Sequence, residues 1–205
     1  MTHTLGLLPL IGRGRLLQER VNGESLVELA VRKLDAAVDA VIIVLDPSQR
    51  PDVVPSVVVE SDRVNRLELP ADVIGLRETL RKYERVVVHE PLCPFVPDDF
   101  LRRLSGSAAA AYPVAGVLPA VDTVKSVHEY FVRETVHRGA VRLVTTPIVA
   151  RGEEVAEVDD LAASLQDLAL LVTNLAHRNH DLELVTAPAD SRRVNDKVEL
   201  SLIAL

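Results

Sequence analysis

The sequence is poor in the residues that staple, stack or span. It has one cysteine, Cys93, in 205 residues. That excludes an intrachain disulfide and a multi-cysteine zinc site, and it points to a reducing, cytoplasmic setting. Tryptophan is absent and aromatics are 3% of the chain, too few for a base-stacking platform. No apolar run reaches the roughly 18 residues of a transmembrane helix. The longest candidate, Ala108 to Val121, is broken by Pro113, Gly116 and Pro119. The N-terminus lacks a basic region and does not read as a signal peptide. Positive charge is also short: 23 basic against 30 acidic side chains leave −7. A nonspecific nucleic-acid binder needs a basic surface, so no nucleic-acid partner is expected.

What remains is ordinary globular chemistry, with 48% apolar and 26% charged residues. A chain of this length buries roughly 70% of its unfolded surface and needs no staples. It is read as one domain over 1–205. Strand-like and helical runs alternate along it. Leu5 to Leu10 is a short apolar run that meets Pro9 and Gly12. Ser25 caps a helix carrying Leu26, Leu29, Ala30 and Leu34. Val41 to Leu45, Val57 to Val59 and Arg85 to His89 are runs of the kind buried on both faces of a parallel sheet. Val73 to Tyr83 and Phe100 to Leu104 read as helices, the second opened by Asp98 and Asp99. Ala108 to Val114 reads as a strand, Leu161 to Asn174 as a helix and Leu182 to Thr186 as a short strand. This order predicts an α/β fold, Rossmann-like, with a mostly parallel twisted sheet and right-handed crossovers.

The stretch 121–146 departs from that rhythm. Asp122 to His128 and Phe131 to Val136 alternate polar and apolar residues, the pattern of a hairpin. It is predicted to protrude as a β arm. A two-stranded arm is marginal alone and packs on something, which includes a second subunit.

Three stretches in order carry a resemblance: Val86-Val-Val-His-Glu-Pro-Leu-Cys-Pro-Phe-Val96, Val121-Asp-Thr-Val-Lys-Ser-Val127, and Glu134-Thr-Val-His-Arg138 leading to Thr145-Thr-Pro147. With Asn195-Asp-Lys197 they make the chain, from Leu7 to Lys197, resemble the 2-C-methyl-D-erythritol 4-phosphate cytidylyltransferase family of isoprenoid precursor synthesis. The resemblance implies a nucleotidyltransferase-type fold, a homodimer through the β arm, and a reaction of CTP with a sugar or polyol phosphate to a CDP product and pyrophosphate. It implies Mg²⁺ as cofactor, with Glu90 at the metal-binding position. Thr123 and Arg138 fall on arm positions that bind the sugar phosphate across the dimer. Thr146 matches the threonine of a Gln-Thr-Pro-Gln element. Lys197 matches the late lysine that stabilises charge at phosphorus; the other reading of Lys197 is a solvated loop charge.

The catalytic pattern is only partly kept. The family's opening Gly-rich loop corresponds to Pro9-Leu-Ile-Gly-Arg-Gly-Arg15. There Gly12 and Gly14 either close backbone N–H groups on phosphate or form a plain turn. Arg13 or Arg15 is the cation for that phosphate, with Arg15 taken as the catalytic one. The lysine segment that follows in the family is missing, and Cys93 stands at an arginine position. Glu60 to Arg63 matches the cytidine-reading stretch too weakly to use. Phosphoryl-type transfer depends on positioning and charge neutralisation, so these departures imply weak or lost activity. The alternative is a non-catalytic dimeric scaffold or regulatory relative. Any nucleotide pocket is expected at the C-terminal edges of the strands ending near Leu8 and His89, where α/β sheets hold ligands. His177 and His180, three apart, lack a third metal ligand and read as a solvated helix end.

Overall fold

The computed structural model describes residues 3–46, 63–69, 71–106, 112–179 and 181–203. The expected strand Val57–Val59, the stretch Glu60 to Asp62, the alanines at 108–111 and His180 lie outside the described residues.

Among the described residues seven strands form the main sheet: β1 (Thr4–Pro9), β4 (Ala40–Leu45), β5 (Val64–Glu68), β6 (Arg85–Val88), β7 (Val114–Pro119), β10 (Arg142–Ala150) and β11 (Glu183–Thr186). Their spatial order is β11-β7-β10-β6-β1-β4-β5. Every neighbouring pair is parallel except the two made by β10, which runs antiparallel to both β6 and β7. The mostly parallel sheet expected from the β-branched runs is therefore present, with one reversed strand near its middle. Two short strands, β2 (Arg20–Val21) and β3 (Glu24–Ser25), pair separately. The strands β8 (Val124–His128) and β9 (Phe131–Val136) form a further two-stranded antiparallel sheet of their own. They fall within the two alternating segments of the sequence.

Alternation along β1 divides the core. Leu5 and Leu7 belong to one cluster and Leu8 and Leu10 to the other. The helix α1 (Leu26–Asp35) and the helix α3 (Asp98–Ser105) cover the Leu8 face through Leu26, Ala30, Leu34, Phe100 and Leu101. The helices α2 (Val73–Leu80), α4 (Gly152–Ala156), α5 (Leu161–Gln166) and α6 (Leu168–Asn179) cover the Leu5 face. Strands buried on both faces need apolar residues at successive positions, which is why Val41–Val44 and Val86–Val88 read as unbroken runs. A capping box starts α1: Glu28 N donates to Ser25 Oγ, and Ser25 N donates to the Glu28 carboxylate. The helix expected over Leu161–Asn174 is two helices. The chain turns extended at Asp167, whose carboxylate accepts from Ala169 N at 2.9 Å and so starts α6. The final helix, α7, spans Lys197–Ile203. Among the described residues no helix is long and apolar enough to cross a membrane.

Candidate functional site

The chain leaves β1 toward β4 on one side, and β6 pairs with β1 on the other. This is the point where strand order reverses, and open α/β sheets bind ligands in the crevice outside it. Two loops reach the crevice, 10–14 after β1 and 89–97 after β6.

The first loop turns through two glycines in the left-handed region, Gly12 at φ +73° and Gly14 at φ +65°. A side chain at Gly12 would also meet Gln166 Cγ at 2.9 Å. Between them Arg13 folds inward and is 5% exposed. Its Nε and Nη2 donate to both oxygens of Glu90, at 3.2 and 2.9 Å. Its Nη1 donates to the carbonyls of Ile11, Leu165 and Gln166 at 2.5, 2.6 and 2.9 Å. Glu90 is equally enclosed, at 5% exposure, and also accepts from Leu92 N. The two loops are thus joined across the crevice by a buried, bidentate, charge-assisted pair.

Three further side chains surround Glu90. Thr146 is fully buried; its hydroxyl accepts from Glu90 N at 3.2 Å, donates to Val88 O at 3.3 Å and lies 2.9 Å from His89 Nδ1. A proton on Nδ1 satisfies all three contacts and leaves Nε2 buried without a partner among the described residues. Burial pushes the His89 pKa down to about 3, helped by Lys33 and opposed by Asp98. The Cys93 thiol is pushed up to about 12, by burial and then by the nearby Glu90 charge, so it is a neutral group at physiological pH. Its Sγ lies 3.5 Å from Thr145 Oγ1, which donates to Ser191 O.

Beside this assembly lies a cavity of about 770 Å³. Glu90, Cys93 and Thr145 form its inner wall; Val121, Asp122, Leu143, Arg192 and Arg193 are among its outer ones. The residues singled out from sequence distribute unevenly around it. Glu90 is at the cavity, and Gly12 and Gly14 shape the adjoining turn. Arg15 is exposed in the short 3₁₀ helix Gly14–Gln18 and does not line it. Thr146 points away into the β6–β10 junction, while its neighbour Thr145 faces the cavity. Thr123 and Arg138 are exposed at the base of the β8–β9 pair, where Arg138 Nη1 donates to the carbonyl of cavity-lining Val121. Lys197 has a side chain 72% exposed and pairs with Glu19 at 2.9 Å.

For a divalent cation the fit is poor. Both Glu90 oxygens are occupied by guanidinium hydrogens, and among the described residues no three His, Cys, Asp or Glu side chains cluster to hold a metal ion. Reasoning from sequence missed the Arg13–Glu90 pair, which joins positions 77 apart, and the Arg192–Arg193 pair. Two adjacent arginines just past the C-terminal end of β11 were the available signal for the latter.

A crevice at the switch point, a glycine turn after the first strand and a mostly parallel sheet define a Rossmann-like α/β fold. No family model matches the chain. Among solved structures, the 2-C-methyl-D-erythritol 4-phosphate cytidylyltransferase of Thermus thermophilus superposes with TM-score 0.72 at 22% identity, covering 97% of this chain and 96% of that one. The Francisella tularensis enzyme of the same name gives 0.73 at 16%, covering 98% of both. Among curated relatives, the cytidylyltransferase of Geobacter metallireducens is 26% identical over 198 residues, 84% of either chain. That of Lysinibacillus sphaericus is 29% identical over 108 residues, and there the match spans about half the length of each chain. In sequence and in fold the chain is similar to the 2-C-methyl-D-erythritol 4-phosphate cytidylyltransferases.

Proposed function

We propose that the chain is a cytidylyltransferase-type protein whose turnover of CTP with a sugar or polyol phosphate is very slow or lost. One observation carries this reading: Arg13, the loop cation nearest the crevice, and Glu90, the carboxylate at the metal-binding position, neutralise each other in the buried state. A triphosphate entering there would meet no free cation from Arg13, and Mg²⁺ would have to displace a guanidinium. The cation expected at position 93 is a neutral thiol, and Lys197 is turned to Glu19. Removing one preorganised donor lowers a rate by about 10²–10³, so two independent losses give about 10⁴–10⁶. Arg15, exposed at the end of the glycine turn, is the replacement cation if any turnover survives.

The test is pyrophosphate release with each of the four nucleoside triphosphates, methylerythritol phosphate and Mg²⁺. The expected result is a rate near background; a kcat of about 1–10³ s⁻¹ with CTP, the ordinary enzyme range, defeats the proposal.

A second reading, a dimeric scaffold or regulator, is favoured by the surface of the β8–β9 pair. Tyr130 is 96% exposed and Phe131 68%, with Val127 and Val132 beside them in the same sheet. Apolar side chains gathered at one tip mark an interaction surface. Here they suit a homodimer through this arm, with Thr123 and Arg138 at its base presented toward the partner's crevice.

A further inference from the structure

The guanidinium of Arg13 sits in a closed cage of oxygen atoms. Among the described residues five oxygens accept from it: both carboxylate oxygens of Glu90 and the carbonyls of Ile11, Leu165 and Gln166. A carboxylate with several backbone carbonyls is the ligand set that hard divalent cations take. Leu165 and Gln166 are the last two residues of α5. Their carbonyls have no place in that helix's own ladder and carry the negative end of its dipole. The cage is therefore built from three segments: the turn after β1, the loop after β6 and the end of α5.

Such a cage needs a cation. The Glu90 side chain is 7% exposed, and a charged carboxylate held among carbonyl dipoles with little water is costly unless it is paired. The chain supplies the cation itself. Gly12 and Gly14, both at positive φ, turn the loop so that Arg13 points inward while Arg15 stays exposed. The Arg13 side chain is 2% exposed and fills the cage. Its one positive charge balances the one negative charge there, and its planar fork suits a carboxylate on one edge. A free ion would have to compete with a charge held in place by a covalent tether, at a high effective concentration.

We infer that Arg13 is the resident cation of this site, a tethered substitute for the divalent ion that the resemblance implies at Glu90, and that the crevice takes no divalent cation there. This holds whether or not turnover is lost. It also makes the cation replaceable from solution once the tether is cut. In a chain without the Arg13 side chain, free guanidinium or Ca²⁺ enters the cage. Ca²⁺ is favoured over Mg²⁺ because it accepts irregular oxygen geometry, whereas Mg²⁺ demands a near-ideal octahedron.

The experiment titrates the intact protein and Arg13→Ala at pH 7 with Ca²⁺, Mg²⁺ and guanidinium, the last far below denaturing concentrations. Heat of binding and thermal midpoint are followed. The wild type is expected to bind neither metal saturably at millimolar concentration, and EDTA should leave its midpoint unmoved. Arg13→Ala should gain one Ca²⁺ site per chain, at least about tenfold tighter for Ca²⁺ than for Mg²⁺. Its midpoint should rise by several degrees in Ca²⁺ or guanidinium, and adding Glu90→Gln should abolish both effects. Leu8→Ala, destabilised by a cavity in the core, should gain nothing from either ion. Arg13→Lys keeps a tethered charge and should ignore Ca²⁺ as the wild type does. The wild-type and Arg13→Lys titrations do not require Arg13→Ala to fold. If that variant is unfolded in the absence of these ions, native circular dichroism should return on adding either. Saturable Ca²⁺ or Mg²⁺ binding by the wild type that Glu90→Gln abolishes overturns the inference, and so does an Arg13→Ala chain that neither ion stabilises. Rapid pyrophosphate release from CTP would sink the proposed function alone.

Discussion

Removing the Glu90 carboxylate should unfold this protein more readily than almost any other single change outside the apolar core. The pair it forms with Arg13 is nearly water-free, with side-chain exposures of 7% and 2%. Taking away one member of such a pair costs about 3–5 kcal/mol, because the other charge stays buried and unpaired. The two truncations are not equal. In Glu90→Ala the guanidinium still donates to the carbonyls of Ile11, Leu165 and Gln166, so its cost sits near the lower end, about 3 kcal/mol. In Arg13→Ala those carbonyls lose this donor and the buried carboxylate keeps only Leu92 N, so the cost sits near the upper end, about 5 kcal/mol. At about 2–4 °C per kcal/mol for a chain of this size, the midpoints should fall by about 6–20 °C. The double variant Arg13→Met, Glu90→Leu removes both charges and fills the space. It should be within about 1 kcal/mol of the wild type, or more stable. Urea unfolding followed by circular dichroism at pH 7 gives all four corners of the cycle. Single variants that each cost under about 1 kcal/mol and add in the double would refute the buried pair. Millimolar Mg²⁺ should leave the wild-type midpoint where it is; a rise of several degrees abolished by Glu90→Ala would restore Glu90 to metal binding.

Three further outcomes are expected. With a folded-state His89 pKa of about 3 against 6.5 unfolded, the unfolded state alone takes up the proton between those values. Stability from this group is therefore complete above pH 6.5 and declines by about 1.4 kcal/mol per unit down to about pH 3. His89→Asn should flatten that part of the wild-type profile of urea midpoint against pH, and identical slopes would count against the buried neutral imidazole. Cys93 should resist iodoacetamide at pH 8 in the native protein and react within minutes in urea, since its thiol is buried and its pKa raised; rapid native alkylation would contradict this. The intact chain should sediment as a dimer at micromolar concentration, and deletion of residues 124–132 should yield a folded monomer. A monomeric wild type would end the case for the arm as an interface.

Runs apolar on both faces, such as Val41–Val44 and Val86–Val88, declared themselves in the sequence as buried parallel strands. The strand β10 did not, because Thr145, Thr146 and Pro147 interrupt its apolar pattern. The structure absorbs that interruption as a shift of register between Val144 and Ile148 and uses the Thr146 hydroxyl to hold β6. The strand β5 is the last of the sheet among the described residues, with Asn65, Arg66 and Glu68 exposed, so it carries little hydrophobic signal. At the site, local chemistry was legible and distant pairing was not. Gly12 and Gly14 marked a turn, and Glu90 marked a carboxylate at a sheet edge. Nothing local could say that the arginine between the glycines would direct its charge to that carboxylate. The partner choice is made by the β1–β6 pairing, a long-range event that adjacent residues do not encode.

The register that pairs Arg142 with Pro119 has an architectural consequence. Strands β7 and β10 are adjacent and antiparallel, so residues 120–141, β8 and β9 included, are an insert whose two ends arrive at one place. The sheet would close with a turn of about four residues there. By the logarithmic cost of loop closure, such a turn would be favoured over the natural insert by about 1.5 kcal/mol. The β8–β9 insert is therefore a separable unit: a change in its length leaves the pairing of β7 with β10 where it is.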